Sequence, residues 1–437
     1  MVNMVTKTQK TKIYPNLFMR NYIDQACDYR RYCYNLALET WQNMYWCRRI
    51  VLPISIRNSL KNKVHDKKVE LSFAEEVMNQ NTPAPNEKRV RNEMVANKAD
   101  WQDLYSARIL QLAVKDLSVT WNNFFDPSLP NWGMPKFKAK KDNKQSFRTD
   151  RAKIDKDGNL LLDKPLRINK KLWSGIKMAE KPKSTDLKTV SIIKTGNKYY
   201  ACLTYEYTPK EKAKTGKSTA VDVNVGHFNC PNETLNVLPK RLNRWYKRIK
   251  HYQRLLAKKR NVNGKEKAKR SHNYQKTRAK LSHSYQKVTN IQHDIVMKFT
   301  TWLVNNYDTI TIETLNVKVM QMSHVASKGL QRSLFGEFKR ELTYKCNWYN
   351  KELVLADKFY PSTQRCSRCG WVKRGKHKLT LRGNKQDHED HSTYICQHCG
   401  LVIDRDYNAC LNLLAYPILL KTEPEYLKRI CKTQAMA

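Results

Sequence analysis

Four cysteines in two knuckles, followed at once by an acidic motif, are the residues of this chain best suited to chemistry. Cys366 and Cys369 flank Ser367-Arg368, Cys396 and Cys399 flank Gln397-His398, and each pair is followed by a glycine, Gly370 and Gly400. A Cys-x-x-Cys turn sets two thiolates on one tetrahedral ion, and the glycine lets the backbone fold tightly around the sulfur. The 26 residues between Cys369 and Cys396 exceed the ~15–20 of a compact ribbon. They are polar and basic (Lys373, Arg374, Lys376, Lys378, Arg382, Lys385), as a solvent-exposed insert should be. Two copies of Cys-x-x-Cys-Gly argue against a redox pair or chance. The expectation is one structural Zn²⁺ held by Cys366, Cys369, Cys396 and Cys399, with no open position. Four thiolates complete that shell, so His398 is read as a surface group and not as a ligand.

Carboxylates form the second constellation. Asp222 lies in Val221–Val225, with Asp222 and Asn224 on the face opposite the valines, and Glu313 ends Thr309–Leu315 on the face opposite Ile310 and Ile312. Each alone reads as a solvated strand residue. Two strands of one sheet can hold them side by side, and a third acid at a helix N-terminus can close the set. Such a cluster is costly unless divalent cations neutralise it. It then suits two Mg²⁺ ions about 4 Å apart, clamping the attacking water and leaving oxygen of a phosphodiester displacement. The third acid comes from Asp404-Arg405-Asp406, which starts five residues after Cys399. Only one acid of that motif can aim at such a site, and Asp404, just ahead of a helix, is equally placed as its N-cap.

These residues need elements to position them. A short strand is expected over Thr219–Val225, a helical hairpin over about Leu242–Asn305, and a strand over Thr309–Thr314. Helix resumes from about Ser333 to Leu353, a strand follows around Val354–Phe359, and a last helix begins near Asp406. Strand and helix alternate, so the class is α/β. Ahead of this, residues 1–15 read as a strand, Leu17–Phe125 as mostly helical with a loop or flexible insert over Glu75–Lys98, and Lys188–Tyr207 as a β-hairpin. The Tyr and Trp residues of 14–121 recur at helical spacing and read as core.

The 437 residues carry 82 Lys+Arg against 39 Asp+Glu, a formal net charge of +43. So large a surplus calls for a polyanionic partner. Residues 240–280 concentrate it, with 17 Lys/Arg against Glu266 alone. That is phosphate contact by shape and charge, without base reading. No apolar run approaches the ~18–20 residues that span a bilayer. Met1–Asn16 holds no apolar signal core, so a cytoplasmic protein is expected. The eight cysteines outside the knuckles show no pairing pattern and read as reduced, buried thiols.

Together these motifs resemble the TnpB family, encoded by bacterial insertion sequences and ancestral to type V CRISPR effectors. The resemblance covers nearly the whole chain. Lys12–Asn16 and Arg31–Asn35 resemble the family's opening, and Pro135–Lys138 and Gln145–Thr149 its central barrel. Val221-Asp222-Val223 resembles the first RuvC motif and Ile312–Leu315 the second. Gly336–Phe338, Tyr344-Lys345 and Trp348-Tyr349 resemble the helix before the ribbon, Pro361–Gln364 its lead-in, and Asp404–Ala409 the third RuvC motif. The resemblance implies a multidomain α/β protein: a RuvC nuclease of RNase H-like fold with an inserted zinc ribbon, preceded by a β-barrel with an inserted helical recognition domain. The expected partition is barrel 1–16 and 126–210, helical insert 17–125, linker 211–218, nuclease 219–360 and 401–420, ribbon 361–400 and C-terminal tail 421–437. It also implies that Asp406 is the third catalytic metal ligand, with Asp222 and Glu313, on Mg²⁺. The partners it implies are a guide RNA from the element's end and double-stranded target DNA cut beside a short adjacent motif, with no membrane. Two departures stand out: Asn224 where glycine is commoner, and a short stretch from Gly226 to Leu238. Three readings follow: an RNA-guided endonuclease, an RNA-guided repressor that does not cut, and a transposase performing strand transfer. The three acids argue against the repressor; they do not exclude the transposase, against which the family resemblance decides.

Overall fold

The computed structural model describes residues 4–47, 84–129, 131–140, 144–196, 198–210, 212–224, 226–231, 233–236, 239–260, 271–315, 334–380 and 382–436. The chain divides into two compact units, Met1–Thr208 and Pro209–Ala437.

In the first unit, β1 (Val5–Tyr14) leads into α1 (Leu17–Cys47), then α2 (Glu87–Ala96) and α3 (Ala107–Phe125). The strands β2 (Lys144–Thr149), β3 (Lys153–Ile154), β4 (Leu160–Leu161), β5 (Lys177–Met178), β6 (Thr189–Thr195) and β7 (Lys198–Tyr207) follow. Five of these pair antiparallel in the order β2-β6-β7-β1-β5. A bridge from Leu160 to Ile176 links β4 to the chain just ahead of β5, and among the described residues no pairing joins the two edges of this sheet. Its inward residues Ile13, Phe147, Val190, Ile192 and Leu203 pack against Ile23, Cys33, Leu110 and Leu117 of α1 and α3 in one core. The helices expected as an insert thus share a core with the sheet, covering one of its faces. Part of the expected loop over 75–98 is α2, which Asn86 caps by accepting the Arg89 N–H at 3.0 Å. The rest of that stretch, up to residue 83, lies outside the described residues.

The second unit is built on a five-stranded mixed sheet. Its strands are β8 (Ser218–Val223), β9 (His227–Cys230), β10 (Glu233–Asn236), β11 (Thr309–Ile312) and β12 (Glu352–Leu355). They run in the order β10-β9-β8-β11-β12. β8, β11 and β12 are parallel, while β9 turns back antiparallel to β8 and β10 pairs antiparallel to β9. The stretch after Asn224, expected only to be short, is thus a hairpin that extends the sheet. Between β10 and β11 run α4 (Lys240–Arg260) and α5 (His272–Asn306), and α6 (Phe335–Trp348) precedes β12. Val221, Val223, Phe228, Ile310 and Ile312 form one face of the sheet and pack on Phe299 and Leu303 of α5 and Phe338 and Leu342 of α6. Ala220 and Ala356 belong to the other face, beneath Leu413 and Tyr416 of α7 (Arg405–Thr422). Alternation along β8 and β11 therefore turns Asp222 and Glu313 toward the α7 side.

β13 (Thr393–Ile395) and β14 (Val402–Asp404) form the ribbon's hairpin, which runs straight into α7. Residues 421–437, expected as a tail, instead carry α8 (Pro424–Met436), whose Leu427, Ile430 and Cys431 lie in the core beneath Tyr416. Apolar residues three to four apart in a basic segment give a narrow stripe that one helix face can bury. No helix among the described residues is long and apolar enough to cross a membrane.

Candidate metal centres

The four knuckle sulfurs converge. Among the described residues they are the only group of three or more His, Cys, Asp or Glu ligand atoms within 4.8 Å of one another. Cys366 Sγ lies 3.7 Å from Cys399 Sγ, and Cys369 Sγ 3.6 Å from Cys396 Sγ. Zn–S bonds of ~2.3 Å set the edge of a sulfur tetrahedron at ~3.8 Å, so the donor set fits Zn²⁺. Gly370 (φ 76°) and Gly400 (φ 68°) take the left-handed conformation, and their N–H groups donate to Cys366 O at 3.0 Å and Cys396 O at 2.9 Å. That is the tight turn the spacing demands. The backbone N–H of Leu401 is the main cause holding the Cys399 thiol down at about 7, closer to the thiolate that a metal needs. His398 is exposed and outside the cluster.

Lys373, read as solvent-exposed, is 1% exposed. Its ammonium pairs with Glu389 at 2.8 Å and Asp387 at 3.4 Å, and Asp387 also meets His377 Nδ1 at 2.8 Å. The long spacer folds on an ionic core of its own, which charge counting along the sequence cannot reveal.

The ribbon is fastened to α7. Asn408 and Asn412, both fully buried, donate to Arg365 O at 2.8 and 2.6 Å, and Asn408 Oδ1 accepts the Ser367 N–H at 3.0 Å. These bonds tie the first knuckle to the helix that carries Asp406. Asp404 caps that helix, accepting the Tyr407 N–H at 2.8 Å. Its carboxylate is thereby turned to the helix end, and Asp406 stands in the first turn.

Asp222, Glu313 and Asp406 come together at one end of the sheet. Asp222 is 3% exposed. Burial first, then the Asp406 charge, pushes its carboxyl up to about 7. Burial and then Asp222 push Glu313 up to about 8. Among the described residues neither has a cation in salt-bridge contact; Arg405 lends Asp222 only a more distant charge. The oxygens of the three do not draw within 4.8 Å of one another as the sulfurs do. Each acid has one oxygen engaged by a protein donor: Asp222 Oδ2 by Asn224 Nδ2 at 2.9 Å, Glu313 Oε1 by the Val223 N–H at 3.4 Å, and Asp406 Oδ2 by Asn229 Nδ2 at 2.9 Å. His227 Nε2 lies 3.3 Å from Asp406 Oδ2. Asp222 and Glu313, without a cation in contact among the described residues, and the half-exposed Asp406 beside His227 offer hard oxygens, a donor set that fits Mg²⁺ or Mn²⁺. A cleft of about 460 Å³ opens here, lined by Asp406 and Asp404 together with His227, Asn229, Thr234 and Tyr407 among others. His227 and Asn229 were not singled out in the sequence. The only signal for them is a polar residue inside a four-residue strand.

Away from the acids, α4 and α5 pack through Leu242, Ile249 and Val288. Arg241, Arg244, Lys247, Lys250 and Arg254 are exposed and make no ion pair among the described residues. Arg248 stacks on Trp245 at 4.8 Å.

Residues 202–324 match the family model described as OrfB_IS605, "Probable transposase", and residues 335–413 match the one described as "Cas12f1-like, TNB domain". A Streptomyces pristinaespiralis protein described as "Putative RNA-guided DNA endonuclease" is 29% identical over 311 residues, 70% of each chain. An Escherichia coli K12 protein described in the same words is 24% identical over 73% of this chain and 77% of its own length. A TnpB-like protein of Acanthamoeba polyphaga mimivirus is 29% identical over 54% of this chain, which spans 44% of that relative. A chain from a cryo-EM structure of a Cas12f1-sgRNA-target DNA complex aligns over 94% of this chain and 98% of its own, at 10% identity and a TM-score of 0.44.

Proposed function

The chain belongs to the TnpB family, and from that premise we propose that it is an RNA-guided endonuclease that cuts double-stranded DNA by RuvC-type hydrolysis. One observation carries the reading: carboxylates from β8, the end of β11 and the start of α7 come together, and Asp222 and Glu313 have no cation in salt-bridge contact among the described residues. Asp222, Glu313 and Asp406 are the residues proposed to hold the catalytic metal, and Cys366, Cys369, Cys396 and Cys399 the structural Zn²⁺. Bound divalent metal would supply a water ionised near neutral pH and stabilise charge on the leaving oxygen.

The chain's own residues do the rest. Burial of Asp222 and Glu313 keeps water from solvating their charge, a cost that a bound divalent cation would relieve. The Asn408 and Asn412 bonds fasten the first knuckle to α7, the helix that carries Asp406. The mixed sheet, with a hairpin on one side of β8 and parallel strands on the other, supports an RNase H-like core. The exposed cations of α4 and α5 suit contact with phosphates of guide or target. The names borne by the Streptomyces and Escherichia relatives support the RNA-guided part of the proposal. Asn224, where the family more often has glycine, engages Asp222 and leaves it within the cluster, so a repressor without cleavage gains no support from it.

The partner half of the proposal is tested by purifying the full chain and sequencing the RNA that comes with it. A defined species whose 3′ portion matches the DNA flanking the gene is expected. Random fragments, or no retained RNA, would overturn this half.

A further inference from the structure

We propose that Asn224 and Asn229 are positioning residues, each holding one oxygen of a neighbouring acid so that its other oxygen is presented to metal. The inference rests on the reading of Asp222 and Asp406 as metal ligands and assigns two residues that reading does not use.

The geometry begins in the β8–β9 pairing, where Asp222 stands directly opposite Asn229. Directly opposite residues on an antiparallel pair project to the same face, so Asn229 emerges beside Asp222, on the side where α7 packs. Val223 opposite Phe228 sends the next pair into the core beneath, which pins the register. Asn229 is 7% exposed, and its own carbonyl accepts from Cys410 Sγ at 3.2 Å on α7. The backbone of the residue is thus fixed on both sides. From that anchor its amide nitrogen reaches Asp406 Oδ2 at 2.9 Å.

Asn224 does the same locally. Just beyond β8, its backbone N–H donates to His227 O at 3.0 Å, closing the turn into β9, and its side-chain nitrogen donates to Asp222 Oδ2 at 2.9 Å. An amide is suited to both positions. It donates to a carboxylate without adding charge, whereas an ammonium would compete with metal and a third acid would repel. Among the described residues, the second oxygens, Asp222 Oδ1 and Asp406 Oδ1, have no side-chain donor. Outer groups that orient metal-ligating carboxylates are worth ~10–100-fold in metal affinity or activity.

Mn²⁺ binding to the full-length protein without nucleic acid, followed by electron paramagnetic resonance of the free ion, tests this apart from cleavage. Asn229→Leu and Asn224→Leu keep volume and lose the donor. Each is expected to weaken Mn²⁺ binding at least tenfold, while Asn229→Ser, which keeps a hydroxyl donor, recovers part of the loss. Asn224 is only half-buried, so Asn224→Ala keeps the test open should Asn229→Leu fail to fold. A purely structural role would lower the metal-free unfolding midpoint and leave affinity alone. Affinities within twofold of wild type in the Asn variants, with Asp406→Asn binding poorly, would overturn the clamp and leave the metal reading standing. Wild-type binding by Asp222→Asn and Asp406→Asn as well would overturn both.

Discussion

Replacing Asp222 by asparagine should make the metal-free protein more stable, and more so as pH rises. The Asp222 carboxyl moves from an ordinary 3.8 to about 7 on folding, through burial and the Asp406 charge. A folded-state value above the unfolded one means that the native state holds the proton more tightly. Its contribution is therefore fully favourable below about pH 4 and is lost as pH rises through about 7. At ~1.4 kcal/mol per unit the ionisation cost is roughly 1–2 kcal/mol at pH 5 and about 4 kcal/mol at pH 8. The amide carries no such cost, and its oxygen can still accept from Asn224 Nδ2. Relief of Glu313, which Asp222 also pushes up, acts in the same direction. The advantage of Asp222→Asn should therefore grow by roughly 2–3 kcal/mol between pH 5 and pH 8, about 5–10 °C in unfolding midpoint for a unit of ~200 residues. Thermal unfolding at both pH values, in buffer cleared of free divalent ions and with the zinc content of both proteins checked as unchanged, measures it. Added Mg²⁺ should raise the wild type at pH 8 and close the gap, because a ligand of the native state stabilises by mass action. A gap independent of pH, or a variant less stable at pH 8 than the wild type, would refute the burial argument.

The other expectations are more local. Metal analysis should find one zinc per chain; Cys396→Ser should lower that content and His398→Ala should leave it unchanged. Lys373→Met strands Asp387 and Glu389 without their cation and should destabilise the ribbon by about 3–5 kcal/mol, read as a drop in zinc retention against urea. Asp404→Ala should cost about 1 kcal/mol through the lost N-cap yet keep Mn²⁺ affinity, whereas Asp406→Ala should do the reverse.

The candidate site was legible where residue type alone limits the options. Two Cys-x-x-Cys-Gly turns pointed to four sulfurs around one ion, and the four sulfurs converge; strand alternation put Asp222 and Glu313 opposite the apolar residues that the core claims. Asp404 and Asp406 could not be separated by spacing; the N-cap bond to Tyr407 separates their geometry. What stayed hidden depends on partners far along the chain. Asn229 meets Asp406 across 177 residues, and strands as short as β9 and β10 give alternation no length to register. Lys373 counts as one more basic residue until Asp387 and Glu389 fold around it. The C-terminal helix hides its apolar stripe among basic residues, and the core that α1 and α3 share with the sheet of the first unit depends on contacts far apart in the chain.

The central claim is that Asp222, Glu313 and Asp406 form one metal-dependent cutting site directed by RNA. Cleavage of a linear duplex matching the copurifying RNA, in Mg²⁺ and in EDTA, tests it directly with Asp222→Ala, Glu313→Ala and Asp406→Ala. The account predicts cutting by the wild type in Mg²⁺ only, and no cutting by any of the three variants while RNA and DNA binding persist. Undiminished cutting by the three variants, or an uncut duplex with the fully loaded wild type, would contradict it.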